Sequence, residues 1–133
     1  MERLKERLAV AQQALNTLEE LVNLPHPSSI ERDAAIQRFE YTFEASVKAA
    51  QRYLLVVEGV SVGSPKAGIR AARDVGLLTD DQAITGLDMV DDRNLTVHMY
   101  NEVLARRIYG NLLRYAELLK RWLNAMADQV ADM

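Results

Sequence analysis

The stretch Arg93-Asn94-Leu95-Thr96-Val97-His98-Met99-Tyr100 gathers an arginine, a histidine and a tyrosine into one short segment. Histidine has an unperturbed pKa near neutrality, so it can take up a proton and return one. Arginine stays charged and grips phosphate oxygens through two parallel N–H groups. Together they can cleave RNA without a metal. In that chemistry His98 activates a ribose 2′-hydroxyl and Arg93 holds the charge that builds on the phosphate. The Tyr100 hydroxyl, two residues beyond His98, reaches the same place. Both charged groups come from one turn, so a second copy across a dimer would double the basic cleft. Taken alone, the stretch also fits a capped interhelical turn with a partly exposed histidine.

The remaining chemistry-bearing residues are less organised. His26 lies between Pro25 and Pro27 and reads as inert loop. Asp88 and Asp92 share a helical face at i, i+4, a spacing able to hold magnesium, but an acidic last turn is more often merely solvated. Asp88, Asp91 and Asp92 lack calcium-loop spacing. With no cysteine in the chain, thiolate chemistry, disulfides and cysteine-ligated zinc are excluded. Gly59, Gly63 and Gly68 match neither a P-loop nor a dinucleotide fingerprint. No metal and no cofactor is expected. Gln37, Glu40 and Glu44 form a polar stripe beside an apolar face, read as surface or as a cleft wall.

A net charge of −3 argues against a general DNA-coating protein. Its distribution is uneven. Residues 76–92 carry Asp80, Asp81, Asp88, Asp91 and Asp92 and no basic residue. From position 93 onward basic residues outnumber acidic ones, which fits either ordinary solvated helix faces or a local surface for RNA or nucleotide. No apolar run approaches the ~20 residues that cross a bilayer, and the segment from Met1 to Arg7 has no apolar signal core. The expectation is a soluble, cytoplasmic protein with no membrane partner, and one domain over residues 1–133.

Helices must position the motif. Leu4, Leu8, Ala11, Leu15, Leu18 and Val22 alternate steps of four and three, one apolar stripe on a first helix. Pro25 to Ser29 breaks it. Ser28 with Glu31 predicts a capping box and a second helix from about Ile30 to Gly59, carrying Ile36, Phe39, Phe43, Val47, Ala50, Leu54 and Val57. Ser64-Pro65 opens a short helix ending at Gly76. Thr79 with Gln82 starts another, reaching about Asp92. Asn94 to Tyr100 is then a break, and Asn101 caps a last helix with Leu104, Ile108, Leu112, Tyr115, Leu119 and Leu123 on one side. No sustained strand alternation and no repeat is present. The fold class is all-α, an antiparallel up-and-down four-helix bundle with a short extra helix.

Arg-x4-His-x-Tyr at Arg93, His98 and Tyr100 resembles the signature of HEPN domains, nucleotide-binding helical bundles. Three blocks resemble the nucleotidyltransferase substrate-binding protein family within them: Arg32 to Glu44, Ser64 to Ala72, and Asp92 to Tyr100. The likeness covers roughly residues 30–115. The polar residue after the motif arginine is present as Asn94, whereas Ser46-Val47-Lys48 stands where the family often has tryptophan-lysine. The resemblance implies a homodimer partnered by a minimal nucleotidyltransferase. It also implies a metal-independent endoribonuclease toxin, with Arg93 and His98 catalytic, silenced when the partner transfers AMP to Tyr100. The alternative it leaves open is a non-catalytic subunit that presents substrate or regulates the transferase.

Overall fold

The computed structural model describes residues 1–133. Its helices are α1 (Glu2–Glu19), α2 (Ser29–Glu58), α3 (Pro65–Asp74), α4 (Asp80–Leu95) and α5 (Glu102–Ala131), with a 3₁₀ turn at Thr96–His98. The expected helices are all present, and there is no strand.

Local chemistry sets their boundaries. At α2 the Ser28 hydroxyl accepts from the Glu31 amide at 3.0 Å, and the Glu31 carboxylate accepts from the Ser28 amide at 2.9 Å. Thr79 and Gln82 repeat this box at α4, at 3.1 and 2.9 Å. Ser64 caps α3 with Pro65 in its first turn, and Asn101 caps α5 by accepting from the Leu104 amide at 3.1 Å. Each cap satisfies an amide that the helix leaves without a partner. α2 ends at Gly59, whose φ of 68° is left-handed, a conformation glycine adopts without Cβ strain.

The apolar stripes of α1, α2 and α5 pack against one another, and α4, with the short α3, closes the bundle against α5. Leu4, Leu15, Phe39, Leu54, Ile108 and Trp122 are fully buried in this core. Phe39 stacks on Tyr115 with ring centroids 5.7 Å apart. Ser46 and Val47, where the chain departs from the usual pattern of the family it resembles, are both buried in it. α3 and α4 approach closely at Gly86, where a Cβ would stand 3.0 Å from the Ile69 side chain. No helix is long and apolar enough to cross a membrane.

α4 runs past the expected end at Asp92, to Leu95. The reason is in the side chains: Asp92 has partners on α5, and the Thr96 hydroxyl closes on the Arg93 carbonyl at 2.8 Å, carrying the helix into the 3₁₀ turn. Arg93 therefore projects from the last turn of a helix, and only His98 and Tyr100 belong to the connection.

Candidate functional site

Asp92 anchors the site. It is only 7 % exposed, and both its carboxylate oxygens are engaged from α5. Arg107 donates to Oδ1 at 2.8 Å, while Tyr115 and Asn111 donate to Oδ2 at 2.6 and 3.1 Å. Burial, and then the hydrogen bond to the Asp92 carboxylate, push the Tyr115 phenol well above its ordinary pKa. For Asp92 this corrects the expectation that the acidic end of α4 is merely solvated, whereas Asp88 and Asp91 are exposed. A carboxylate saturated by three donors is a structural pin, and Asp88 and Asp92 do not act as a pair. The signal for it was Arg107, Asn111 and Tyr115, spaced four apart on one face of α5.

Arg93, the next residue, is half-buried and points toward α2. Its Nη2 donates to Glu44 Oε1 at 2.6 Å, and Nη1 lies 4.0 Å from Glu40 Oε2 and 3.4 Å from the Thr96 hydroxyl. Its Nε is buried with no hydrogen-bond partner. The polar stripe of α2 thus holds the motif arginine rather than forming plain surface, although Gln37 is exposed as expected. Glu44 also lines an open groove of about 490 Å³ between α1 and α2, with Arg3, Arg7, Tyr41 and Lys48.

His98 ends the 3₁₀ turn in solvent. Its Nδ1 lies 3.3 Å from the Tyr100 hydroxyl, and the two rings meet edge-on with centroids 5.8 Å apart. Tyr100 is 82 % exposed. Asn94 is exposed on the last turn of α4. The fold therefore joins His98 to Tyr100 directly, and ties Arg93 to α2 instead. When the His98 Nδ1–H donates to the tyrosine oxygen, Nε2 keeps its lone pair free toward solvent, as a general base requires.

Residues 6–128 match the family described as nucleotidyltransferase substrate binding protein like. The chain belongs to this family. No curated protein matches it significantly in sequence. A Thermus thermophilus protein of known crystal structure is 58 % identical, with a TM-score of 0.86 over 87 % of this chain and 98 % of its own. The Shewanella oneidensis HEPN toxin, solved tri-AMPylated and in complex with the MNT antitoxin, superposes with a TM-score of 0.77 at 14 % identity, covering 94 % of this chain and 96 % of the toxin. A Haemophilus influenzae protein described as having the fold of a nucleotidyltransferase substrate-binding domain gives 0.74 at 24 % identity, over 90 % and 98 %. The last two likenesses establish the HEPN-like helical bundle fold of this family member.

Proposed function

We propose that this chain is the HEPN-type partner of a minimal nucleotidyltransferase and acts as a metal-independent endoribonuclease toxin, silenced by AMP on Tyr100. The observation that carries the proposal is the 3.3 Å approach of the exposed Tyr100 hydroxyl to His98 Nδ1. One hydrogen bond links the group that would move protons in cleavage to the group that would take the silencing nucleotide.

In the cleavage step, His98 Nε2 takes the proton of a ribose 2′-hydroxyl. That oxygen attacks the adjacent phosphorus, the bond to the 5′-oxygen breaks, and the departing oxygen recovers the proton. The products are a 2′,3′-cyclic phosphate and a 5′-hydroxyl. Arg93 stabilises the added negative charge on the phosphate. A homodimer would bring two such turns into one cleft. In the silencing step His98 is in the other tautomer, with its hydrogen on Nε2. The Tyr100 oxygen attacks the α-phosphorus of ATP held with magnesium by the transferase, pyrophosphate departs, and the phenolic proton passes to the free Nδ1. The attached AMP then places an anion and a bulky adenosine where RNA must enter.

A second reading has its own support: Arg93 already has a carboxylate partner in Glu44. In this reading the arginine is structural, and the subunit presents substrate to the transferase or regulates it without cutting RNA. Cleavage assays separate the two. Wild-type chain expressed without the transferase should cut RNA in EDTA, and His98→Ala should abolish cutting while retaining the helical circular-dichroism spectrum. Absence of cleavage by wild type under these conditions would leave the adaptor reading.

A further inference from the structure

Arg32, near the start of α2, has a guanidinium that makes no hydrogen bond. Its side chain is only 13 % exposed. The nearest carboxylates, Asp33 at Nε and Glu102 at Nη1, both stand 3.7 Å away, beyond hydrogen-bonding reach. Its Nε is buried with no partner. Glu102 is already committed to Arg106 at 2.7 Å, so one carboxylate serves two guanidinium groups. A nearly buried cation with unsatisfied donors is costly, and an incoming oxyanion would satisfy it.

There is room for one. Arg32 and Arg106 line a pocket of about 370 Å³ with Pro25, His26, Pro27 and Tyr109. Its far wall is held firmly. The Tyr109 hydroxyl donates to the Leu21 carbonyl at 2.7 Å and accepts from the Leu24 amide at 3.1 Å. Asn23, at a φ of 61°, turns the chain between them. The chain just before His26 is thereby clipped to α5, and His26 lines the pocket together with the two arginines. Glu102, which both arginines approach, opens α5 two residues after Tyr100.

We propose that this pocket binds a backbone phosphate of a ribonucleotide strand flanking the scissile position. Arg32 and Arg106 grip the phosphate oxygens, and His26 and Tyr109 wall the neighbouring nucleoside. The arriving phosphate takes the place of Glu102 on the exposed Arg106 and supplies Arg32 with its first acceptor. This rests on the RNA reading given above, and it assigns His26 a role instead of inert loop.

Binding of a fluorescein-labelled 2′-O-methyl oligoribonucleotide, which lacks the attacking hydroxyl, tests the pocket apart from cleavage. Arg32→Gln and Arg106→Gln should each weaken binding about ten-fold, the loss expected for a charge-assisted hydrogen bond. Arg121→Gln removes the same charge roughly 22 Å further along α5 and should change affinity less than two-fold. The His26 ring proton resonances should shift as the oligonucleotide is added to wild type. If Arg32→Gln loses its helical spectrum, Arg106→Gln alone decides, because its side chain is exposed. Binding by Arg106→Gln within two-fold of wild type would overturn the proposal, as would equal losses from Arg106→Gln and Arg121→Gln. Either result, with RNA cleavage still dependent on His98, would remove the pocket and leave the nuclease standing. Wild type that neither binds nor cuts RNA would remove both.

Discussion

Arg93 donates to Glu44 at 2.6 Å, so in the proposed cleavage an incoming phosphate would compete with a carboxylate for the same guanidinium. Glu44 is about half exposed, and such pairs contribute little in water. Glu44→Gln should therefore lower the KM for RNA by roughly two- to five-fold, the equivalent of ~0.5–1 kcal/mol, with kcat nearly unchanged. A raised KM would mean that Glu44 aligns Arg93 more than it competes. Arg93→Ala should cost on the order of 10²–10³-fold in cleavage rate, like the loss of another preorganised charge donor. Tyr115 gives a prediction in pH. Its folded pKa is raised above the unfolded value of about 10. Its contribution to stability is thus complete below pH ~10 and is lost as pH rises further, through the folded value. Urea midpoints of wild type should fall steeply above pH ~10, and those of Tyr115→Phe less steeply. Parallel slopes would contradict the assignment.

The helices themselves were legible because caps and periodicity are local. Ser28 with Glu31, Thr79 with Gln82, and Asn101 bond only residues three apart, and their side chains state the boundary outright. Ser28→Ala should accordingly cost about 1 kcal/mol in denaturant unfolding. Harder to read was the junction of α4 and α5, where the only signal was a polar spacing on α5 with nothing to say which aspartate it meets. Asp92 looks like one more aspartate in an acidic run until Arg107, Asn111 and Tyr115, up to 23 positions away, close around it. Arg93 likewise meets Glu44 across 49 positions, so its direction is a tertiary fact. Asp92→Ala strands the buried Tyr115 hydroxyl and frees the last turn of α4. A loss of about 3 kcal/mol is expected, together with slower cleavage, since the residue beside the motif arginine is no longer pinned. Thermal unfolding unchanged from wild type would show that the cluster holds nothing.

At the scale of the whole molecule, α1, α2 and α5 form the core, and the proposed site sits at its edge, with Arg93 on the last turn of α4 and His98 and Tyr100 on the short exposed connection that follows. Val97 and Val103 flank His98 and Tyr100 there, and each is more than two-thirds exposed. Apolar surface beside the motif is what a second copy would cover, and light scattering at micromolar concentration should return a dimer. A strict monomer without the partner would leave each turn isolated and contradict the shared cleft. The proposed silencing stands or falls on Tyr100. The most direct measurement is the intact mass of the chain after incubation with its nucleotidyltransferase, ATP and magnesium, followed by RNA cleavage on the same sample. Wild type should gain mass in AMP units and lose cleavage, whereas Tyr100→Phe should gain none and keep cutting. No gain on wild type, or an equal gain on Tyr100→Phe, would contradict silencing at this hydroxyl.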